Sequence, residues 1–186
     1  MRAIEILNSM ERSPVIAAVA DNKWDAAIKG PSEVIFYFKA NILSVKERIS
    51  EAHKSGKAIF VHIDLAEGIA KDRFGIEFLK NAGVDGIIST RGQLIRAAKE
   101  LGLVTIQRFF ALDSQGVDNI SDQLFSASPD FMEIMPGVIG KIISRFSGGA
   151  VPVIAGGLVE SKSEVTEALS LGAIGVSTGK IELWSI

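Results

Sequence analysis

The sequence predicts a compact single-domain α/β protein, a (β/α)8 TIM-type barrel. Its 186 residues, 47% of them hydrophobic, with 18 glycines, suit one packed domain. Eight short apolar runs, rich in β-branched residues, recur along the chain without a break in composition. Segments with helical periodicity separate these runs, and regular alternation of strand and helix is typical of a parallel sheet covered by helices.

Each predicted strand is a nearly continuous apolar run, as expected of parallel strands buried on both faces. An open doubly wound sheet has the same pattern, because hydrophobic periodicity does not show whether a sheet closes. In chain order, the predicted strands are residues 14–20, 33–38, 58–64, 84–89, 103–109, 130–135, 151–155 and 173–177.

The predicted helices lie between these strands. Ser44 with Glu47, and Ser161 with Glu164, have the spacing of a capping box, which predicts a helix start at each serine. Less periodic residues also favour a helix at 113–127. The first and last helices of the barrel are predicted to be minimal, and residues 1–12 form an N-terminal helical extension within a single domain of residues 1–186. The predicted minimal helices are residues 22–29 and 180–184.

Composition excludes several classes of protein. The chain has no cysteine, so disulfides, thiolate nucleophiles and cysteine-bound metals are excluded. The formal charge of −2 provides no overall attraction for nucleic acids or acidic membranes. No apolar run approaches the about 18 residues of a membrane helix, and the N-terminus lacks a secretory apolar core. We therefore expect a soluble cytoplasmic protein.

The last two predicted strands both end in small residues. In (β/α)8 barrels the active face lies at the carboxyl ends of the strands, and the loops after strands 7 and 8 often bind phosphate. Glycines allow backbone N–H groups to approach an anion closely. The alternative is that these glycines only form tight turns. The predicted phosphate-binding residues are Gly156, Gly157, Ser177, Thr178 and Gly179.

Polar residues at other strand ends are further candidates. His62 and Asp64 alternate onto one predicted strand face, where they could bind hydroxyl groups or transfer protons. Arg108 could pair with an acidic ligand, or with Glu133 on the next strand. Lys39 could reach over the mouth. We assign no catalytic residue and no metal site. A recognisable RNA-binding consensus is also absent, and the scattered basic residues are interpreted as solvated helix faces.

The order of several motifs resembles a known family. They are PVIAAVAD, IFVHIDL, VDGIISTRGQLIRAAKELGLVTIQRFFALDS, MEIMPGVIGKII and PVIAGGLVESKSEV followed by GAIGVSTGKIELW. These motifs are similar to those of the glycerol-3-phosphate-responsive antiterminators, the glycerol uptake operon antiterminator regulatory proteins. The resemblance extends from about residue 14 to residue 184.

This resemblance implies a regulator rather than an enzyme. Such a protein senses glycerol 3-phosphate, binds the leader mRNA of glycerol-utilisation genes and prevents premature termination of transcription. The implied ligand is glycerol 3-phosphate, with no further cofactor and no membrane partner, and homo-oligomerisation stays open. The Gly156–Gly157 and Ser177–Thr178 strand ends would hold the phosphate. The residues implied to meet the glycerol part are His62, Asp64, Arg108, Glu133 and Lys39.

Two other functions stay open on the residues alone, because one barrel fold supports many activities. The first is a small phosphate-sugar enzyme of the isomerase or aldolase type, with His62, Asp64 or Glu133 as acid or base. The second is a metabolite-binding barrel that acts through a protein partner.

Overall fold

The computed structural model describes residues 2–186, and its eight parallel strands close into one barrel. Strand β1 pairs with β2 on one side and with β8 on the other, where Ile16 lies opposite Ser177. This closure confirms the predicted (β/α)8 barrel and excludes an open sheet. The strands are β1 (Val15–Val19), β2 (Val34–Tyr37), β3 (Ala58–His62), β4 (Gly86–Ser89), β5 (Val104–Phe110), β6 (Phe131–Met135), β7 (Val153–Gly156) and β8 (Gly175–Thr178).

Helices alternate with the strands on the outside of the barrel. The helix predicted at 113–127 is present as Ser114–Ala127 with Asp113 as its N-cap, and the first and last barrel helices are minimal, as predicted. The first begins as a 3-10 turn, Asp21–Lys23, and the last is only a 3-10 turn, Ile181–Leu183. The α-helices are α1 (Ala3–Arg12), α2 (Trp24–Lys29), α3 (Val45–Lys54), α4 (Arg73–Asn81), α5 (Gly92–Glu100), α6 (Ser114–Ala127), α7 (Gly140–Phe146) and α8 (Lys162–Ser170).

One of the two predicted capping boxes forms. Ser161 has an extended backbone, its hydroxyl accepts from the Glu164 N–H, and the Glu164 carboxylate accepts from the Ser161 N–H. At Ser44 the predicted helix start is confirmed, because α3 begins at Val45, but the predicted capping box does not form. The Ser44 φ of −114° and ψ of −15° lie near the helical region, and its side chain makes no capping hydrogen bond. An N-cap normally needs extended backbone to turn its oxygen towards the first turn of the helix.

The core has two layers. The outer layer lies between the strands and the helices, and the inner layer fills the barrel with side chains such as Phe36, Phe60 and Phe131. Helix α1 covers the amino-terminal end of the barrel, where Ile6 and Met10 join the inner layer. That end is therefore closed by apolar packing, which leaves the carboxyl end for function. Within residues 2–186, no helix has both the length and the apolar character needed to cross a bilayer.

Strand alternation determines which side chains reach the mouth from inside. Arg108 lies opposite Glu133 across β5 and β6, and Gly156 lies opposite Ser177 across β7 and β8. Side chains two residues apart share a face, so Arg108 follows Ile106 of the inner core on the lumen side of β5. The fold thus collects polar groups from distant segments at one end of the lumen.

Candidate functional site

An open cavity of about 360 Å³ lies at the carboxyl end of the barrel. It is lined by the ends of β1, β2, β5, β6 and β8 and by the loops that follow β1, β7 and β8. These loops belong to the face on which (β/α)8 barrels carry their active sites. The lining residues are Ala18, Lys23, Phe38, Arg108, Glu133, Met135, Gly157, Leu158, Val159, Glu160, Ser177, Thr178, Gly179 and Lys180.

The loops after β7 and β8 contribute unpaired backbone donors. Gly157 has a φ of +74°, a conformation that favours glycine, and Leu158 follows at +59°. Within residues 2–186, the backbone N–H groups of Gly157, Leu158 and Gly179 have no hydrogen-bond acceptor. All three residues line the cavity. N–H groups that have no partner in the protein are available to an anion.

Two lysines at this end of the cavity were missed by the sequence analysis. The Lys23 ammonium donates to the Gly179 carbonyl at 2.6 Å, and the Lys180 ammonium lies 3.4 Å from the Glu160 carboxylate. Lys23 belongs to the loop after β1, and it reaches the β8 loop because the barrel closes β1 against β8. Its position just after a strand end was the available sequence signal.

Thr178 links the two loops. Its hydroxyl donates to the Val159 carbonyl at 2.8 Å and accepts from the Lys180 N–H at 3.1 Å. The Trp184 indole N–H donates to the Thr178 carbonyl at 2.9 Å. These bonds occupy the Thr178 hydroxyl, so its observed role is to hold both loops at a fixed separation beside the cavity.

A buried charged network forms the inner wall of the cavity. The Arg108 Nε donates to Glu133 Oε2 at 2.6 Å, and the Ser177 hydroxyl donates to Glu133 Oε1 at 2.5 Å. The Arg108 guanidinium also lies over the Phe38 ring, 4.9 Å from its centroid. The pairing of Arg108 with Glu133, one of the two predicted alternatives, is therefore present. Both residues still line the cavity, so the pair does not remove them from it.

His62 lies buried at the end of β3, beside this network. Its ring meets the Phe38 ring edge-on at 5.8 Å, and its Nδ1 has no hydrogen-bond partner within the described chain. Burial and the nearby positive charge of Arg108 lower the pKa of His62 from 6.5 to about 4. The imidazole is therefore neutral near pH 7, although His62 is not among the residues that line the cavity.

The predicted shared strand face of His62 and Asp64 is wrong, although the two side chains do lie close together, with His62 Nδ1 3.8 Å from Asp64 Oδ2. Strand β3 ends at His62, and Asp64 lies in a 3-10 turn, Ile63–Leu65. Its carboxylate accepts from the Ser89 hydroxyl at 2.9 Å, the Thr90 N–H at 2.8 Å and the Arg91 Nε at 2.8 Å. Although burial opposes the shift, the bonds from Thr90 and Arg91 lower the pKa of Asp64. Asp64 thus holds the loop after β4.

The remaining predicted site residues lie at the edge of the site. Gly156 allows the buried network to approach, because a Cβ there would lie 2.3 Å from Glu133 Oε1 and 2.7 Å from the Ser177 hydroxyl. Lys39 is exposed, has a φ of 55° and does not line the cavity. Across residues 2–186, no group of three or more acidic or histidine side chains is placed to hold a metal ion.

The fold and this site define a single-domain TIM-barrel protein whose mouth carries a candidate site for a small anionic ligand. Residues 15–184 match the family described as "Glycerol-3-phosphate responsive antiterminator". The chain belongs to that family, as its motifs predicted.

Individual relatives are similar over nearly the whole chain. "Uncharacterized protein YgcP" of Escherichia coli K12 is 34% identical over 97% of this chain and 96% of its own. A glycerol uptake operon antiterminator-related protein of Thermotoga maritima is 32% identical, with a TM-score of 0.84 over 94% of this chain and 99% of its own. The glycerol uptake operon antiterminator regulatory protein of Listeria monocytogenes is 31% identical, with a TM-score of 0.86 over 91% of this chain and 94% of its own. Aldolases and a decarboxylase at 12 to 16% identity share the fold alone.

Proposed function

We propose that this protein binds glycerol 3-phosphate at the barrel mouth and that this binding controls its affinity for the leader mRNA of glycerol-utilisation genes. Through that RNA it prevents premature termination of transcription. The observation that carries the proposal is the cavity of a chain in the antiterminator family, where free backbone N–H groups and two lysines lie beside a buried polar network.

The loops after β7 and β8 suit the phosphate group. The N–H groups of Gly157, Leu158 and Gly179 supply donors, and Lys23 and Lys180 supply positive charge. Charge-assisted hydrogen bonds to an anion are roughly twice as strong as neutral ones. A phosphate there would compete with the Gly179 carbonyl for Lys23 and with Glu160 for Lys180, so binding would rearrange contacts of both loops.

The buried network suits the glycerol hydroxyls. Arg108 can donate further hydrogen bonds beyond the one to Glu133, because a guanidinium has five N–H groups. Ser177 and Glu133 line the same wall of the cavity, and the neutral His62 lies behind Phe38. Hydroxyl groups act as both donors and acceptors, so a mixed set of this kind matches them.

The state of the acidic groups supports ligand sensing rather than catalysis. Both oxygens of Glu133 accept hydrogen bonds, one from Arg108 and one from Ser177. The Asp64 carboxylate is occupied by the loop after β4. A general base must be within reach of a substrate proton and free to take it. We therefore favour a sensor over the phosphate-sugar enzyme, and product analysis after incubation with glycerol 3-phosphate tests that choice.

Regulation then requires only that the ligand-bound and ligand-free forms of the protein differ in their affinity for RNA. If the ligand-bound arrangement of the loops binds RNA with a different affinity, thermodynamic linkage makes the ligand control RNA binding. The formal charge of −2 means that RNA must meet a local surface rather than a basic protein as a whole.

Gly157→Asp tests the phosphate site. A Cβ at position 157 would lie 2.5 Å from the end of the Met135 side chain, which also lines the cavity, so the new side chain must displace Met135 there. Its negative charge would repel phosphate, so calorimetry should show at least about tenfold weaker binding of glycerol 3-phosphate, or about 1.4 kcal/mol. The matched control is Gly56→Asp, because Gly56 has nearly the same φ, +73°, and open space around it. Equal affinity in the two variants would overturn the phosphate assignment.

A further inference from the structure

Strand β5 carries a buried amide without a hydrogen-bond partner among the described residues. Gln107 is 0% exposed, and neither its Oε1 nor its Nε2 has a hydrogen-bond partner within residues 2–186. Thr105, on the same outer face of β5, is fully engaged with Asp130. Leaving a buried polar group without a hydrogen-bond partner is energetically unfavourable, so Gln107 needs an explanation beyond packing.

Gln107 lies at the floor of an open cavity between α5 and α6. The cavity has a volume of about 220 Å³ and is also lined by Gly92, Asp122, Gln123, Ser126 and Ala127. One water occupies about 30 Å³ in the liquid, so a single water satisfying the amide would leave most of this space free. The cavity therefore has room for a flat organic group.

The first turn of α5 adds a donor to this cavity. The N–H group of Gly92, which lines the cavity, has no acceptor in the described part of the chain. A Cβ on Gly92 would lie 3.3 Å from the Ala127 Cβ and 3.6 Å from Gln107 Nε2, so glycine keeps this wall open. The cavity thus combines a donor and an acceptor on one planar amide with the free N–H group of Gly92.

This chemistry matches the edge of a nucleobase, on which donors and acceptors lie side by side in one plane. A glutamine amide pairs with such an edge through two hydrogen bonds, as it does with adenine. Arg96 and Lys99 on exposed positions of α5 reach across to Ser126 and Ser128 of the neighbouring segment, where they can meet flanking phosphates. Asp122 is the acidic residue of the cavity wall, and its carboxylate can accept from a base amino group.

We propose that the α5–α6 cavity receives a nucleobase of the regulated RNA and that Gln107 binds the base edge. This inference rests on the proposed function, because it assumes that the protein binds RNA. Gln107 precedes Arg108, which faces the ligand cavity on the other side of the same strand. One strand therefore carries a residue of each candidate site.

Gln107→Leu tests the proposal. The substitution keeps the approximate volume and removes both polar atoms, so the free energy of unfolding in urea should be unchanged or higher. Fluorescence anisotropy with a labelled leader RNA transcript should show about tenfold or greater loss of affinity, while calorimetry shows unchanged binding of glycerol 3-phosphate. The matched control is Gln115→Leu, on an exposed position of α6 outside the cavity.

The outcomes separate this inference from the proposed function. If the wild-type protein binds the RNA and the RNA affinity of Gln107→Leu lies within twofold of the wild-type value, the base-binding role is overturned and the amide holds ordered water only. If the wild-type protein does not bind the RNA with or without glycerol 3-phosphate, both proposals fail. A shift of the Gln107 side-chain amide signal in nuclear magnetic resonance spectra on adding the RNA would support direct contact.

Discussion

The buried charges of Arg108 and Glu133 at the mouth of the barrel neutralise each other. Arg108 and Glu133 form a pair that is almost fully inside the protein, and Ser177 satisfies the second carboxylate oxygen. Removing one member of such a pair leaves an uncompensated buried charge, which typically costs about 3–5 kcal/mol. The network therefore has a structural role in addition to any contact with ligand, and this second role explains why Gly156 must lack a side chain.

The lowered pKa of His62 makes the stability of the fold depend on pH. In the unfolded chain His62 takes up a proton near pH 6.5, whereas the folded protein resists protonation until about pH 4. The unfolded state therefore binds more protons in this window, and the free energy of unfolding should fall as the pH drops from 6.5 to 4. Urea unfolding across this range should show a shallower fall for His62→Gln, and parallel curves would contradict the assignment.

Substitutions in helix α1 test whether this helix closes the inner layer of the core. Ile6 is fully buried against the inner layer, so Ile6→Ala should lower the free energy of unfolding by about 2–5 kcal/mol. Ile4, on the same helix, is 53% exposed, and Ile4→Ala should stay within about 0.5 kcal/mol of the wild type. Urea denaturation measures both. Similar losses in the two variants would show that α1 does not close the barrel as described.

The strands and helices show how much of the fold could be predicted from the sequence. Buried parallel strands are continuous apolar runs, so all eight were located, with ends that differ from the structure by a few residues. Asp64 was misplaced because the apolar pattern continues through Ile63, although the chain has already turned. Lys23 was missed because its relevance depends on the contact between β1 and β8, which no local pattern reveals.

Some residues of the candidate site could be predicted from the sequence, and others required the structure. Gly157, Ser177, Thr178 and Gly179 line the cavity, because strand counting locates the loops after β7 and β8. The actual partners of Arg108 and Asp64 required side-chain geometry, since several neighbours of suitable charge were available. Gln107 was noted only as a polar residue near a strand end and given no role, because an outward strand residue in an apolar run is unremarkable until its lack of a partner is known.

For the whole molecule, ligand and RNA occupy different surfaces in this account. The mouth faces the lumen side of β5, and the α5–α6 cavity lies on its outer side. Coupling between two such sites is a free energy that acts in both directions, so RNA must change the affinity for glycerol 3-phosphate by the same factor. Calorimetry with the RNA-bound protein provides that reciprocal value.

A titration of leader RNA binding against glycerol 3-phosphate, read by fluorescence anisotropy, tests whether the ligand controls RNA binding. We expect RNA affinity to change by about fivefold or more, with a half-effect concentration that agrees with the ligand affinity from calorimetry after correction for linkage, and with no response in Gly157→Asp up to the same ligand concentration. An RNA affinity that stays constant while the ligand saturates the protein would contradict the account.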